Sequence, residues 1–375
     1  MHRIIAGIVS AAGLFSAQPA AGAGFAGVWQ GTLGAQPVRV CFNERDWGTF
    51  GAYYYLSHLM AISLQQPDDQ KQVFVEGSDE RDGASPRWTF DKPAPDRLAG
   101  RWTQAAKSLP IALTRVPLPT LKEDDTPCGS MVFQEPRTRG VRTVTKPAVK
   151  DGVHYTRLIL DFGGHFGEDI NVETFALAGD SPAVRRINAK LREPLAGEPD
   201  GWLACIRMAA DSSPNGAANI ESYEPRLFGR RWLVTMHHWD GDCGGAHPDS
   251  SNTPTLFDLT TGAEVNVFDW FNDKAIKREP VEGYEPLISL RPQFRSVVIG
   301  GWKADDAECT DAIKTDEYWH AELTRTGFVF TPDLPHVVQA CGEDFKVPFA
   351  KLAAYLSPEG KQQIATLQAE AGSRR

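Results

Sequence analysis

The chain has 375 residues, 42% of them hydrophobic and 23% charged, with 48 acidic side chains against 39 basic ones and a formal net charge of −9. That length is enough for two domains, each with its own core. The acidic balance disfavours nucleic acid and anionic lipid as partners and suits a cationic one.

The first 23 residues have the pattern of a secretory signal peptide. His2 and Arg3 form a basic start, Ile4 to Phe15 a short apolar run, and Ala21-Gly22-Ala23 a small-residue cleavage signal. The expectation is a periplasmic or secreted protein beginning near Gly24. No later run reaches the roughly 18 apolar residues of a spanning helix, so no transmembrane segment is expected in the mature chain. The cysteines are Cys41, Cys128, Cys205, Cys243, Cys309 and Cys341. An even count in an exported chain predicts disulfides. Of the possible pairings, the domain organisation favours Cys41–Cys128, Cys205–Cys243 and Cys309–Cys341.

Residues 24–118 carry an internal repeat in three segments, Gly27 to Val40, Gly51 to Leu64 and Gly100 to Leu113. In each, an aromatic (Trp29, Tyr53 or Trp102) follows the glycine by two residues, and an apolar pair at i and i+2 (Val38/Val40, Ile62/Leu64, Ile111/Leu113) closes the unit. Apolar residues two apart share one face of a strand. Each unit is therefore a hairpin that starts at its glycine. "RWTF", Arg87 to Phe90, adds another strand with Trp88 inward. The whole predicts an all-β meander, closed as a barrel or folded as a sandwich, with its aromatics in the core. The Pro-rich, charged stretch at 119–128 is a linker.

From residue 129 the pattern turns to mixed α+β: an antiparallel sheet with helices packed on one face. His154 to Phe162 alternates as a strand. Asp180 to Leu195 is a helix capped by Ser181 with Pro182 in its first turn, burying Ala183, Ile187 and Leu191. "GWLACIRMAA" around Cys205 and "RRWLVTMHHW" around Val234 are expected to be strands. Thr253 to Phe271 forms a hairpin turning at Gly262, and "TGFVFTPDLP" is a further strand. A helix follows with Phe349, Leu352, Ala353 and Leu356 on one side. A polar helix from Pro358 and a frayed end form a tail over 361–375.

The densest chemistry lies in "MHHWDGDCGGAHPD", Met236 to Asp249. Five other cysteines favour a disulfide over a nucleophile at Cys243. His237 and His238, neighbours on a strand, point to opposite faces. The spacing fits neither a calcium loop nor a zinc motif, so no metal and no cofactor is expected. Glycines for the turn and Asp240 and Asp242 on its amides explain the stretch structurally. Trp239, His247 and Asp249 remain as binding residues beside a rigid strand, with His165 of the "DFGGHFGED" loop as another. The alternative is a hydrolase acting on cell-wall material through Asp240, Asp242 and His247. The nucleophile-elbow, P-loop and dinucleotide signatures are absent.

"WDGDCGGAHPDSSNTPTLFDLTTGAEVNVFDWF" and "PHVVQACGEDFKVPFAKLAAYL", with the helix containing "INAKL", resemble a signature of the RsiV-like extracytoplasmic domains, a family of unknown function. The resemblance spans roughly residues 129–360. It implies an α+β fold outside the cytoplasm, in a family that includes lysozyme-responsive sensors and modules fused to peptidoglycan-modifying enzymes. Unlike the sensors, this chain is expected to carry no transmembrane helix and no sigma-factor-binding segment. What carries over is a non-catalytic binding face for cell-wall glycan or for a basic, wall-active protein such as lysozyme.

Overall fold

The computed structural model describes residues 24–77, 85–122, 125–197, 201–212, 216–245, 247–281, 284–316 and 318–372. The signal-peptide reading at 1–23 lies outside them.

Strands β1 (Gly27–Leu33), β2 (Gln36–Arg45), β3 (Gly48–Tyr55), β4 (Ile62–Gln65), β5 (Val73–Glu76), β6 (Arg87–Phe90), β7 (Arg97–Gln104) and β8 (Lys107–Val116) pair in sequence order. β8 returns to β1 and closes a barrel. The three repeats are the hairpins β1–β2, β3–β4 and β7–β8. Alternation sends Trp29, Tyr53, Trp88 and Trp102 inward, where with Val38, Val40, Leu64, Ile111 and Leu113 they fill the interior. One difference concerns the repeat glycines. Gly27 does open β1, but Gly51 and Gly100 sit in mid-strand. A Cβ at Gly51 would fall on the carbonyl of Cys41, and one at Gly100 on that of Thr89. Closing the barrel brings neighbouring backbones that near, which leaves no room for a side chain.

Inside the barrel one carboxylate organises the polar tips of the aromatics. Glu76, at the end of β5, accepts on a single Oε1 from Tyr53 Oη at 2.8 Å, Trp88 Nε1 at 2.8 Å and Trp102 Nε1 at 2.7 Å. Burial, with the Glu76 charge beside it, holds the Tyr53 phenol well above its ordinary pKa.

After the barrel, residues 117–122 and 125–130 hold no helix or strand. Helix α1 (Met131–Thr138) then packs on the outside of the barrel. Pro136 has no N–H to give to the carbonyl of Val132, four residues back. Arg39 of β2 supplies the missing donor, its Nη1 lying 2.6 Å from that oxygen. Tyr54 Oη donates to Phe133 O at 2.8 Å, and Asn43 Nδ2 to Ala210 O at 2.7 Å. Cys41, within β2, is bonded to Cys128.

The remainder is mixed α+β. β9 (Arg142–Lys150), β10 (Val153–Asp161) and β11 (Ile170–Leu177) precede α2 (Pro182–Leu191) and α3 (Trp202–Ser212). β12 (Ala218–Phe228), β13 (Trp232–Asp242), β14 (Asp249–Asp258) and β15 (Glu264–Val265) complete a seven-stranded sheet in the order β15-β14-β13-β12-β11-β10-β9. All its pairs are antiparallel except β11–β12, which runs parallel because a crossover carrying α2 and α3 separates the two strands. Ser181 Oγ caps α2 by accepting from Val184 N at 3.2 Å, and Ala183, Ile187 and Leu191 are buried as the periodicity predicts.

The "GWLACIRMAA" segment is helical rather than extended, so the strand expectation there is wrong. Trp202, Leu203, Cys205, Ile206 and Ala209 recur at helical spacing and bury one face. A short apolar run does not distinguish the two periods unless its far end is followed.

Beyond the large sheet come β16 (Ile276–Val281), β17 (Tyr284–Leu290), α4 (Pro292–Ile299), α5 (Ala307–Thr315), β18 (Trp319–Leu323), β19 (Gly327–Pro332), β20 (Phe345–Pro348), α6 (Phe349–Leu352) and α7 (Pro358–Gly372). β16–β17 is a two-stranded sheet and β18-β19-β20 a three-stranded one. Successive residues of β12–β14 point to opposite faces. Phe228, Leu233 and Phe257 meet Ile187 and Leu191, whereas Leu227, Val234 and Leu256 meet the core of Phe294, Phe328, Phe330 and Leu352. The expected helix near Phe349 shrinks to the single turn α6, with Ala353 exposed. The expected fraying of the tail is corrected as far as Gly372: α7 runs to that residue, Ile364 and Leu367 are buried, and Glu370 accepts from Arg230 N at 2.7 Å.

Candidate binding groove

The Met236–Asp249 stretch forms the end of β13 and its turn into β14. Cys243 is bonded to Cys205 of α3. Asp242 Oδ1 accepts from Gly244 N at 2.9 Å, and Gly244 takes a positive φ of 88°. Trp239 is half-buried, with its Nε1 on Asn219 Oδ1 at 2.9 Å. His237 stacks on Tyr223 and approaches Glu221 at 3.2 Å, while His238 meets Asn252 at 2.9 Å. Asp240 is exposed, paired through its backbone with β12 and β14, and its carboxylate makes no hydrogen bond or ion pair among the described residues.

His247 does not turn back toward Asp240 and Asp242. Its ring stacks on that of His336 with centroids 3.7 Å apart, and both imidazoles meet the carbonyl of Pro248. Asp249 is exposed and accepts from the Ser250 amide at 2.8 Å. His165 lies elsewhere, its Nδ1 2.8 Å from Arg137 O. Among the described residues, no group of three His, Cys, Asp or Glu side chains is placed to hold a metal ion.

A site that sequence reasoning missed lies between sheets. Two adjoining cavities, about 470 and 500 Å³, share Pro254 and Glu322 as a common wall. The first is bounded by consecutive residues of β14 (Thr253 to Leu256), β17 (Pro286 to Ile288) and β18 (Trp319 to Leu323). Among the described residues, β17 and β18 each pair on one side only, and β14 meets β15 only at Leu256 and Phe257. Strand edges of three sheets therefore border one groove.

The ionisable lining is mostly acidic. Glu264, Glu322 and Asp333 line the first cavity, and Glu224, Glu322 and Asp344 the second. Arg226 contributes the cation, 2.9 Å from Glu224 and 3.5 Å from Glu322. Burial raises the pKa of Glu322, Arg226 opposes the shift, and Asp344 adds to it. The imidazole of His320, with Nε2 3.8 Å from Asp333 Oδ1, holds the Asp333 carboxylate below its ordinary value. The signal available in the sequence was "WHAEL", where Trp319, Ala321 and Leu323 are buried and His320 and Glu322 take the other face.

Next to this groove, Asp316 follows α5 and precedes β18. Burial raises its pKa to about 6, the Asp333 charge adds to the rise, and amides from Tyr318 and Asp333 partly offset it. Its Oδ2 is buried without a hydrogen-bond partner among the described residues. A carboxyl whose folded pKa is raised favours the folded state while protonated, and that contribution is lost as pH rises from about 4 through about 6. Asp316→Asn is therefore expected to be more stable than the parent at pH 7–8 by roughly 1–2 kcal/mol, at about 1.4 kcal/mol per pKa unit less solvent screening. The gap should close below pH 4. Urea titrations across this pH range would show it, and a gap that widened at low pH would refute the assignment.

Comparison with known proteins gives distant matches. No family model matches the chain, and no curated protein matches it. Among solved structures, the chain is similar to a member of the DUF3298 family from Bacteroides fragilis at 14% identity, covering 62% of this chain and 99% of that one with a TM-score of 0.38. It is also similar to a DUF3298 family protein from Pseudomonas aeruginosa at 15% identity, covering 60% of this chain and 97% of that one with a TM-score of 0.34.

Proposed function

We propose that this protein is an exported, non-catalytic binding protein of the cell envelope, and that the groove between β14 and β18 holds its ligand. Three disulfides suit an oxidising compartment. The observation that carries the reading is the lining of the groove: Glu224, Glu264, Glu322, Asp333 and Asp344 against Arg226. Such a surface attracts and orients lysine and arginine side chains. Of the two ligand classes that the RsiV-like resemblance implies, the charge favours a basic, wall-active protein such as lysozyme over uncharged glycan.

The test is binding of the purified chain to lysozyme and to insoluble peptidoglycan, each at low and high salt. Lysozyme affinity is expected to fall at least about tenfold as salt rises toward about 0.5 M, because screening shortens the range of the groove's field. Neutralising three exposed acids together (Glu264→Gln, Asp333→Asn, Asp344→Asn) should weaken it by about tenfold as well. Salt-independent pelleting with peptidoglycan would assign the glycan instead. Soluble wall fragments that disappear in His247→Ala would replace the binding role with hydrolysis through Asp240, Asp242 and His247.

A further inference from the structure

A separate cavity of about 270 Å³ lies where the barrel, α1, the loop after β10 and α3 meet. Phe50, Met60, Phe133, Phe166 and Ile206 give it an apolar wall, and Arg137 supplies a cation. Arg137 is 6% exposed. Its partners among the described residues are neutral: Nε donates to Leu59 O at 3.0 Å, Nη1 to Gln134 Oε1 at 2.8 Å and Nη2 to His165 O at 2.9 Å. The guanidinium also lies over the Phe166 ring, 4.3 Å from its centroid.

These bonds use three of the five N–H groups of a guanidinium. Among the described residues no carboxylate comes within ion-pair distance of Arg137, and Asp169, the acid that lines this cavity, is exposed. Elsewhere in the chain the half-buried Arg231 has Asp258 at 2.9 Å and Arg325 has Asp151 at 2.9 Å. Burial lowers the Arg137 pKa to about 10, which leaves it charged at neutral pH. A buried charge without a counter-charge is costly, and a planar guanidinium with free N–H groups is shaped for a carboxylate.

We infer that this cavity binds a small amphipathic carboxylate, its head on Arg137 and its apolar part against Phe50, Phe133, Phe166 and Ile206. The volume, near the lower end of the roughly 300–1,000 Å³ of small-molecule sites, sets a short-chain or single-ring ligand. This site is independent of the acidic groove.

Calorimetric titration of the full chain with octanoate, and with 1-octanol as the neutral probe of equal length, tests it. Octanoate should bind saturably at one site and at least about tenfold more tightly than octanol, the difference being the charged head. Arg137 also holds three segments together, so its removal could unfold the protein. Met60→Glu leaves those bonds in place and sets a negative charge in the wall, since Met60 is 38% exposed. It should weaken octanoate by at least about tenfold and leave octanol unchanged, with no loss of thermal stability. Absence of saturable octanoate binding, equal affinity for octanol, or indifference to Met60→Glu would each overturn the inference.

Discussion

Replacing Glu76 by leucine is expected to destabilise the protein by roughly 3–5 kcal/mol. Three donors converge on one oxygen of Glu76, and their rings belong to residues almost wholly buried: Tyr53 is 1% exposed, Trp88 0% and Trp102 7%. Leucine would leave a phenol and two indole N–H groups without an acceptor, at about 1–3 kcal/mol for each orphaned donor. The three share one acceptor, so the losses overlap and do not sum fully. Glu76→Gln keeps an acceptor oxygen but loses the charge assistance, and should cost about 1–2 kcal/mol. Urea unfolding followed by tryptophan emission would measure both, since the indoles of Trp88 and Trp102 are among the reporters. A Glu76→Leu transition within 1 kcal/mol of the parent would mean that water, not Glu76, satisfies these groups.

Loss of the Cys41–Cys128 bridge is the second large effect. The two residues lie 87 apart in sequence, against 38 and 32 for the other pairs. In the chain-entropy model such a loop contributes about 4–5 kcal/mol, and the shorter loops somewhat less than 4. The Cys41→Ala, Cys128→Ala double variant should therefore lose the most of the three disulfide deletions. Its unfolding is also expected to split, because Cys41 belongs to the barrel and Cys128 precedes α1. Tryptophan emission, to which both parts contribute, would then show two transitions. A single coincident transition with a loss under about 2 kcal/mol would show that the non-covalent interface alone couples the two parts.

Much of the fold was legible because period-two and period-3.6 patterns are written in apolar residues. The Gly–aromatic–apolar pair repeat announced three hairpins, and Ser181, Pro182, Ile187 and Leu191 announced α2. What sequence concealed was of two kinds. Short apolar runs such as that around Cys205 satisfy either period until their flanks are read. The groove, meanwhile, is assembled from residues far apart in the chain: Glu224 on β12, Glu264 on β15, Glu322 on β18 and Asp344 just before β20 line it only after the sheets have met. The Met236–Asp249 stretch drew attention by local density. Its carboxylates and imidazoles are instead spent largely on turn amides, a ring stack and the carbonyl of Pro248.

Helix α1 has a consequence for anyone dividing this protein. Composition invites a cut in the Pro-rich stretch at 119–128. Yet α1, on the far side of that cut, cannot complete its own hydrogen-bond ladder: Pro136 leaves Val132 O to Arg39, a barrel residue. Phe133 O likewise takes the hydroxyl of Tyr54, and the aromatic face of α1 rests on Tyr54. A fragment that starts after the cut would carry a helix missing part of its scaffold, and a barrel expressed alone would display two arginine- and tyrosine-bearing strands with nothing to grip. Pro136 thus acts as an inbuilt mark of interdependence, making a segment that looks like a spacer by composition a poor place to separate the chain.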